Sequence, residues 1–360
     1  MPDNSLVKGP LPLSCVMCQE GSKMVLLVTG LCSEDCYYCP LSLEKQGKRV
    51  TYANEKPVEK DEDVLNEAKS ISARGTGMTG GDPLLEMDKA VHYIRLLKGE
   101  FGERHNIHLY TSTTDPKKLV RLAGAGLDEI RFHPPADVWD RLGDTGFVTA
   151  ITDARHLGLR TGIEVPAIPG HETQIAALLR SVIEAGAQFI NLNELEFSES
   201  NWKELKNRGY AVKDDVSSAV AGSEETALNI IRSVDSKVTV HYCSSSFKDA
   251  TQLRKRLLRR AKNSATPLDI INHEGMFIKG VIECGSPESL ARKLAREYKI
   301  PKGLIRYDRE KSRVELAAWI LEEIYDQVEG EAFIVEEYPT ADRLEVERRP
   351  LGPLDVRVIK

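Results

Sequence analysis

The pattern that most constrains the fold of this 360-residue chain is a repeated alternation of strand-like runs and helical stretches from Lys23 to about Glu196. The predicted strands are Met24–Thr29, Gly77–Thr79, His108–Thr113, Glu129–His133, Thr161–Val165 and Phe189–Leu195, with a seventh later at Lys237–Tyr242. The predicted helices between them are Asp63–Arg74, Met87–Gly99, Pro116–Gly124, Ala136–Leu157 and Glu172–Ala185. Strands that alternate with helices in this way favour parallel strands joined by right-handed crossovers.

This alternation is compatible with two folds, a Rossmann-type sheet and a barrel. A dinucleotide-binding Rossmann sheet carries GxGxxG after its first strand, whereas this chain carries a cysteine loop there. We therefore predict an α/β fold, a partial (β/α)6-type TIM barrel with a smaller C-terminal α+β domain. The predicted boundaries are 1–22 for an N-terminal CxxC segment, 23–243 for the core, 244–264 for a basic helix and linker, and 265–360 for the last domain.

The predicted C-terminal domain has a less regular pattern than the core. We expect a strand around Met276–Glu283, helices at Pro287–Tyr298 and Glu315–Gln327, and a charged, strand-like end at Ala332–Lys360. The sequence shows no internal repeat and no low-complexity segment.

Composition limits the classes of protein that remain. Hydrophobic residues make up 41% and charged residues 29% of the chain, which is typical of a globular protein with a substantial core. A formal net charge of −6 argues against the whole surface binding a polyanion, so a nucleic-acid contact would need a local basic patch. We see no signal peptide and no apolar run of the roughly 20 residues that cross a bilayer. A reducing cytoplasm is the expected location.

The cysteines are spaced for metal binding rather than for disulfides. Five of the seven lie within 25 residues, and three form a CxxxCxxC run in the loop Gly30–Pro40, directly after the first strand. Four thiolates normally close an iron–sulfur cubane, so three leave one iron open to another ligand. The alternative is a zinc or rubredoxin-like knuckle, which needs a fourth ligand and usually CxxC pairs.

This loop resembles the signature of the radical S-adenosylmethionine (SAM) superfamily, CxxxCxΦC with Φ aromatic. The matching residues are Cys32, Cys36, Tyr38 and Cys39. The resemblance implies that the three cysteines hold a [4Fe–4S] cluster and that SAM occupies its open iron. It implies that an electron, from a reductant such as ferredoxin or flavodoxin, cleaves SAM to methionine and a 5′-deoxyadenosyl radical that abstracts hydrogen from a substrate.

A second segment also resembles this superfamily. Gly80, Gly81 and Asp82 follow the second strand, where the family carries a GGE-like motif that binds the SAM amino group. Glycines let the backbone approach a ligand closely, and a carboxylate pairs with an ammonium. Aspartate in place of glutamate is one methylene shorter. Taken alone, Gly-Gly-Asp-Pro is also an ordinary turn sequence.

Further candidates come from the later strands. The segment 162–170 looks like the Pro-x-Ile-Pro-Gly segment of glycyl-radical activating enzymes, relatives of pyruvate formate-lyase activase. Within it, Glu164 alternates with Val165, so one of the two points into the barrel. An inward Glu164 could meet SAM or substrate, or could be a structural ion-pair partner. The other candidate contacts to SAM or the cavity are Asn191, Asn193, Glu194, Thr111, Ser112 and His133.

Cysteines outside this loop suggest an auxiliary metal site. Cys15 and Cys18 form a CxxC, a spacing at which two thiolates face one metal, and Cys243 is a candidate third ligand, with His241 and Cys284 the other suppliers downstream. The auxiliary centre would be an iron–sulfur cluster or a mononuclear zinc or iron. The competing interpretations are a redox dithiol and simple buried thiols.

A basic helix is predicted over residues 251–262. Leu253, Leu257, Leu258 and Ala261 recur at helical spacing and should bury one face, leaving six basic residues on the other. Such a face is either a solvated surface or a contact for RNA or an acidic partner.

Three functions remain for the whole chain. The first is a radical SAM enzyme acting on a protein residue or small metabolite, or alternatively on tRNA or another RNA. The second is an iron–sulfur electron-transfer protein that does not cleave SAM. The third is a scaffold whose cysteines bind structural zinc.

Overall fold

The computed structural model describes residues 5–215, 217–234 and 238–352. These residues form two compact units, one made of residues up to 69 together with 73–253, and one made of 70–72 together with the residues from 254 onward. Lys237, the first residue of the predicted seventh strand, and residues 353–360 lie outside the described residues. Within the described ranges, no helix is both long enough and apolar enough to cross a membrane.

The first unit is built on one large sheet. Its strands are β1 (Leu6–Lys8), β2 (Lys23–Thr29), β3 (Tyr52–Ala53), β4 (Lys56–Pro57), β5 (Gly75–Gly80), β6 (Asn106–Thr111), β7 (Glu129–Phe132), β8 (Arg160–Ala167), β9 (Phe189–Glu194) and β10 (Thr239–Cys243). They lie in the order β1-β10-β9-β8-β7-β6-β5-β2-β3-β4. The seven strands from β10 to β2 in this order are parallel, while β1 at one edge and the β3–β4 hairpin at the other are antiparallel.

This strand order distinguishes a barrel-type sheet from a Rossmann sheet. The parallel strands follow one another along the chain without the reversal that creates the switch point of a doubly wound sheet. Right-handed crossovers without a reversal place the helices on one face and leave the other face to enclose an interior. The predicted α/β, partial-barrel class with a separate C-terminal sheet domain is confirmed.

Helices connect the strands of the first unit. They are α1 (Leu13–Gln19), α2 (Asp61–Ser70), α3 (Met87–Phe101), α4 (Pro116–Ala125), α5 (Phe147–His156), α6 (Glu172–Glu184), α7 (Trp202–Asn207), α8 (Ser223–Ser233) and α9 (Ser245–Phe247). Alternate strand residues supply the apolar layer beneath them: in β8, for example, Ile163 and Val165 are fully buried, whereas Glu164 lines an interior cavity. The sheet therefore has an apolar helix-facing side and a polar inner side.

The predicted helix over 136–157 is wrong in its extent. The structure has a 3-10 segment at Ala136–Asp144 and then α5, with non-helical backbone at Arg141. Gly146 lies at the junction, where an added Cβ would be 2.6 Å from the Thr114 hydroxyl oxygen. The hydrophobic period predicted one helix over 136–157. Close packing of Gly146 against Thr114, in the segment after β6, interrupts it.

The second unit combines a six-stranded antiparallel sheet with three helices. Its strands are β11 (Ile270–Ile271), β12 (Phe277–Glu283), β13 (Ile305–Asp308), β14 (Arg313–Leu316), β15 (Glu331–Glu337) and β16 (Glu345–Pro350), and its helices are α10 (Arg254–Ser264), α11 (Pro287–Glu297) and α12 (Ala318–Ile324). Residues of α11 and α12, among them Leu294 and Leu321, share an apolar core with alternate strand residues.

The predicted helix over Glu315–Gln327 is also wrong, because its first residues form β14. In that strand Val314 and Leu316 join the apolar core, whereas Arg313 and Glu315 face an ion-pair network. The network is buried at its centre, where Lys279, Arg313, Glu315 and Glu337 lie. Its members are Asp269, Lys279, Arg306, Asp308, Lys311, Arg313, Glu315, Glu337, Arg343 and Glu345. A period of two, not 3.6, therefore governs residues 313–316.

The basic helix is shorter than predicted and is partly buried. It starts at Arg254, after a π-helical turn at Lys248–Leu253, and buries Leu257 and Ala261 as expected. Arg260 is buried too, and its Nε donates to the Pro339 carbonyl oxygen at 2.5 Å, so this basic residue does not belong to a solvated face. An RNA contact through residues 253–262 stays a prediction.

Candidate active site

One cavity of about 750 Å³ lies within the first unit, and the predicted site residues gather around it. The cysteine loop, which follows β2, contributes Cys32, Cys36 and Cys39 to its lining. The other lining residues predicted from the sequence are Tyr38, Gly80, Gly81, Thr111, Ser112, His133, Glu164, Asn191, Asn193 and Glu194. The carboxyl ends of parallel strands meet at one edge of the sheet, and this is why residues from six strands share one cavity.

Hydrogen bonds from the segment after β9 hold the cysteine loop. The Asn201 side-chain amide donates to the Tyr38 carbonyl oxygen at 3.1 Å, and the Ser200 hydroxyl donates to the Cys39 carbonyl oxygen at 3.0 Å. Inside the loop, the Glu34 N–H donates to Cys32 Sγ at 3.4 Å. The loop is therefore anchored at its last turn, where two of the three thiols lie.

Two glycines at the end of β5 allow close contact with the end of β2 and with the cysteine loop. A Cβ on Gly81 would lie 2.1 Å from the Leu31 carbonyl oxygen, and one on Gly80, whose φ is +149°, would lie 2.1 Å from the Thr29 carbonyl oxygen. A side chain at Gly81 would push the cysteine loop away, and one at Gly80 would push the end of β2 away. The sequence predicted close backbone approach to a ligand, and the structure shows that Gly81 also approaches the loop that carries the thiols.

Asp82 organises the loops after β5 and β6 and does not line the cavity. It is fully buried, and its carboxylate accepts from the Thr111 hydroxyl at 2.8 Å, the Thr113 hydroxyl at 2.9 Å, the Ser112 N–H at 3.1 Å and the Leu84 N–H at 2.9 Å. These donors use both of its oxygens. Direct contact between Asp82 and SAM stays a prediction, whereas its hydrogen bonds to neighbouring loops are a feature of the structure.

The donor set of the cysteine loop suits an iron–sulfur cluster. Burial, and the nearby thiols Cys39 and Cys32, raise the pKa of Cys36 to about 11. Three thiolates brought together in this way repel one another, and a bound metal centre would relieve that repulsion by replacing their protons. A cubane bonds each thiolate through a different iron and does not need them to converge on one point.

Across the described ranges, no three or more Cys, His, Asp or Glu side chains surround a position suited to a single metal ion. The assignment of Cys32, Cys36 and Cys39 as cluster ligands therefore rests on their sequence and on their shared cavity, and it stays a prediction.

Arg131 occupies the centre of the inner wall and was missed by the sequence analysis. It is 3% exposed, and its guanidinium donates to Glu129 at 2.7 Å, to Glu164 at 2.5 Å and to the Ser14 hydroxyl at 2.6 Å. The signal that could have found it is the polar period of two in Glu129, Arg131 and His133, which marks the inner side of β7.

Glu164 is the point at which several predicted residues meet. Its carboxylate accepts from the Asn191 and Asn193 side-chain amides, each at 2.9 Å, and from Arg131. Burial raises the pKa of Glu164, but the Arg131 charge and the two amides outweigh burial, so the net pKa lies below its usual value. The side chain is therefore an anion, and of Glu164 and Val165 it is Glu164 that lines the interior.

His133 and Tyr38 lie between this network and the cysteine loop. Their rings meet edge to face with centroids 6.0 Å apart. Burial lowers the pKa of His133, so its ring is neutral near pH 7. Its Nδ1 lies 2.7 Å from the Glu164 carbonyl oxygen and must donate there, which leaves Nε2 as an acceptor.

The N-terminal cysteines share this cavity. Helix α1 presents Cys15 and Cys18 to it, and Cys243 reaches it from the end of β10. The antiparallel pairing of β1 with β10 brings the N-terminal segment alongside the last strand. Cys284 belongs to the second unit and does not line the cavity.

Comparison with known proteins identifies the class. The radical SAM superfamily matches residues 26–142, and a domain of unknown function, DUF8061, matches residues 275–351. The fold, the thiol loop and this match define a radical SAM enzyme.

A relative that matches almost the whole chain defines the branch. This protein of Methanocaldococcus jannaschii, whose name assigns it provisionally to the glycyl-radical enzyme activating enzymes, is 40% identical over 354 residues, which cover 95% of this chain and 93% of the relative. The chain belongs to the radical SAM superfamily, in the branch that contains this relative, and the resemblance stated from its sequence is confirmed.

Solved structures resemble the chain more distantly. Native anSMEcpe with bound AdoMet and Kp18Cys peptide is 12% identical, with a TM-score of 0.40 and coverage of 72% of this chain and 73% of that chain. Hexahistidine-tagged anSMEcpe with bound AdoMet is 13% identical, with a TM-score of 0.38 and coverage of 58% and 56%.

Proposed function

We propose that the protein cleaves SAM reductively at a [4Fe–4S] cluster held by Cys32, Cys36 and Cys39, and that the resulting 5′-deoxyadenosyl radical abstracts hydrogen from a substrate. The observation that carries this proposal is the placement of all three thiols on the wall of one cavity. A cluster there would supply the electron that SAM cleavage requires, and the residues that line the cavity would hold SAM and the substrate beside it.

The chain's own residues have separable roles in this proposal. Gly80 and Gly81 shape the backbone next to the thiols, where SAM would contact the open iron. Asp82 keeps that backbone fixed through its hydrogen bonds to the following loops. Glu164, with its two asparagine partners, presents a fixed anion and amides to the ribose or ammonium end of SAM, or to the substrate.

The substrate we propose is a protein residue or a small metabolite. The relative's assignment as an activating enzyme favours a protein residue. A one-electron donor such as ferredoxin or flavodoxin would reduce the cluster. We place the protein in a reducing cytoplasm because an exposed Cys32 and a three-thiol cluster are sensitive to oxidation.

Anaerobic reconstitution with iron and sulfide tests the proposal. We expect broad visible absorption from the cluster, and release of 5′-deoxyadenosine from SAM that depends on dithionite. Cys36→Ala should abolish both, whereas Cys284→Ala, which changes a thiol outside the cavity, should preserve both. A cluster that forms without any release of 5′-deoxyadenosine would favour an electron-transfer protein, and bound zinc without iron would favour a scaffold.

A further inference from the structure

Three thiols outside the cysteine loop line the cavity, together with the imidazole of His241. Cys15 and Cys18 lie three residues apart in α1, a spacing that puts both on one side of a helix. His241 and Cys243 lie two residues apart in β10, and both point to the inner side of the sheet. All four line the cavity that also contains the cysteine loop.

Contacts of Cys15 bring the first pair close to the strand that carries the second. Cys15 Sγ lies 3.2 Å from a guanidinium nitrogen of Arg131 and 3.5 Å from the side-chain nitrogen of Asn191. Asn191 is the direct strand partner of His241, and Cys243 follows on the same side of β10. The helix therefore brings Cys15 to the strand next to the one that carries the imidazole and the third thiol.

His241 lacks the partners that a buried imidazole needs. It is 2% exposed, and neither Nδ1 nor Nε2 has a hydrogen-bond partner among the described residues. Buried polar side-chain atoms are nearly always paired, because an unpaired one loses its hydration without compensation. A neutral imidazole with an unpaired nitrogen, in a cavity that these three thiols also line, has the chemistry of a metal ligand.

We propose that Cys15, Cys18, Cys243 and His241 hold a second iron–sulfur cluster. Soft thiolate ligands select iron–sulfur clusters and zinc, and cations nearby reduce the cost of burying an anionic centre. Arg131 contacts Cys15 directly and is well placed to supply that compensation. Four protein ligands would leave no open iron, so this centre would differ from the one on the cysteine loop, which keeps a free iron for SAM.

This inference extends the proposed function, since both centres would share one cavity, but its test does not depend on SAM cleavage. The decisive protein is the full chain carrying Cys32→Ala/Cys36→Ala/Cys39→Ala, reconstituted anaerobically with iron and sulfide. We expect it to retain about four iron atoms and about four sulfides per chain, roughly half of the wild-type content. No bound iron, zinc without sulfide, or a Cys15–Cys18 disulfide in its place would overturn the proposal.

The complementary variant is Cys15→Ala/Cys18→Ala, with Cys284→Ala as the matched control. We expect the double variant to lose about half of the iron and sulfide and the control to lose none. Circular dichroism verifies that each variant is folded. If the double variant does not fold, His241→Ala serves in its place, and we expect an altered electron paramagnetic resonance signal of the reduced second cluster. An unchanged spectrum would refute the imidazole ligand.

These measurements separate the two proposals. Wild-type protein that releases 5′-deoxyadenosine but holds only one cluster would refute the second centre and leave the proposed function intact. Wild-type protein that holds two clusters but does not cleave SAM would support the second centre and refute the proposed function.

Discussion

The carboxylate of Asp82 holds the loops after β5 and β6 together, and Asp82→Asn removes its charge with almost no change in volume. One oxygen accepts from the Leu84 N–H, and the other accepts from the Ser112 N–H and the Thr113 hydroxyl. The Thr111 hydroxyl contacts both oxygens. An amide keeps one oxygen and places an NH2 group, which can only donate, where the other oxygen was.

The expected loss follows from this geometry. Hydroxyls can rotate to accept from the new NH2 group, but a backbone N–H cannot, so one buried N–H is left without an acceptor in either orientation of the amide. Such a group costs about 1–3 kcal/mol, and hydrogen bonds to a neutral acceptor are weaker than those to a charged one. We therefore expect Asp82→Asn to lower the free energy of unfolding by about 2–4 kcal/mol.

Guanidinium chloride unfolding of the metal-free protein, followed by circular dichroism, measures this loss. Asp88→Asn is the matched control, because the Asp88 side chain is 93% exposed and forms a surface ion pair with Arg121. We expect the control to change stability by less than about 0.5 kcal/mol. A change of that small size in Asp82→Asn as well would refute the reasoning that Asp82 fixes these loops.

Three further predictions follow from the same contacts. Gly81→Ala should sharply reduce the iron that the chain retains after reconstitution, because its Cβ would collide with a carbonyl oxygen of the cysteine loop. Gly99→Ala, in open space within a helix, should retain the wild-type iron content. Equal iron content in the two variants would contradict the collision. Arg131→Met should lower the free energy of chemical unfolding by about 3–5 kcal/mol, because it leaves the buried carboxylates of Glu129 and Glu164 without their cation. A loss below about 1 kcal/mol would mean that these carboxylates find other partners. Burial raises the pKa of Glu315, but nearby Lys and Arg charges lower it well below its usual value. The stability that Glu315 contributes is therefore present above its unfolded-state pKa and is lost as pH falls through its folded-state pKa. We expect the free energy of unfolding to fall less steeply with decreasing pH in Glu315→Gln than in the wild type, and an unchanged slope would argue against this coupling.

Local patterns were sufficient wherever the chemistry lies within one loop or at one strand end. The thiol spacing in residues 32–39 predicted the superfamily, because three ligands on one short loop are fixed by covalent connectivity. Glu164 and Asn191 were found as polar residues on strands that are otherwise apolar. Two predicted helices were wrong for different reasons. In 136–157 a helical period was assumed to continue across the junction at Gly146, and in 315–327 it was extended into a strand that has one ionic side.

The sequence by itself determined the class of fold, the cysteine loop and the family, because each of these depends on residues close together in the chain. Tertiary structure decided which side chains meet inside the barrel. The Arg131 guanidinium donates a hydrogen bond to the Ser14 hydroxyl, 117 residues away in the chain. The Asn191 side-chain amide donates to Cys15 Sγ, 176 residues away. Such pairs depend on strand register and on the path of the N-terminal segment, which are set by packing of the whole unit. That packing brings the N-terminal thiols, His241 and the cysteine loop to one cavity.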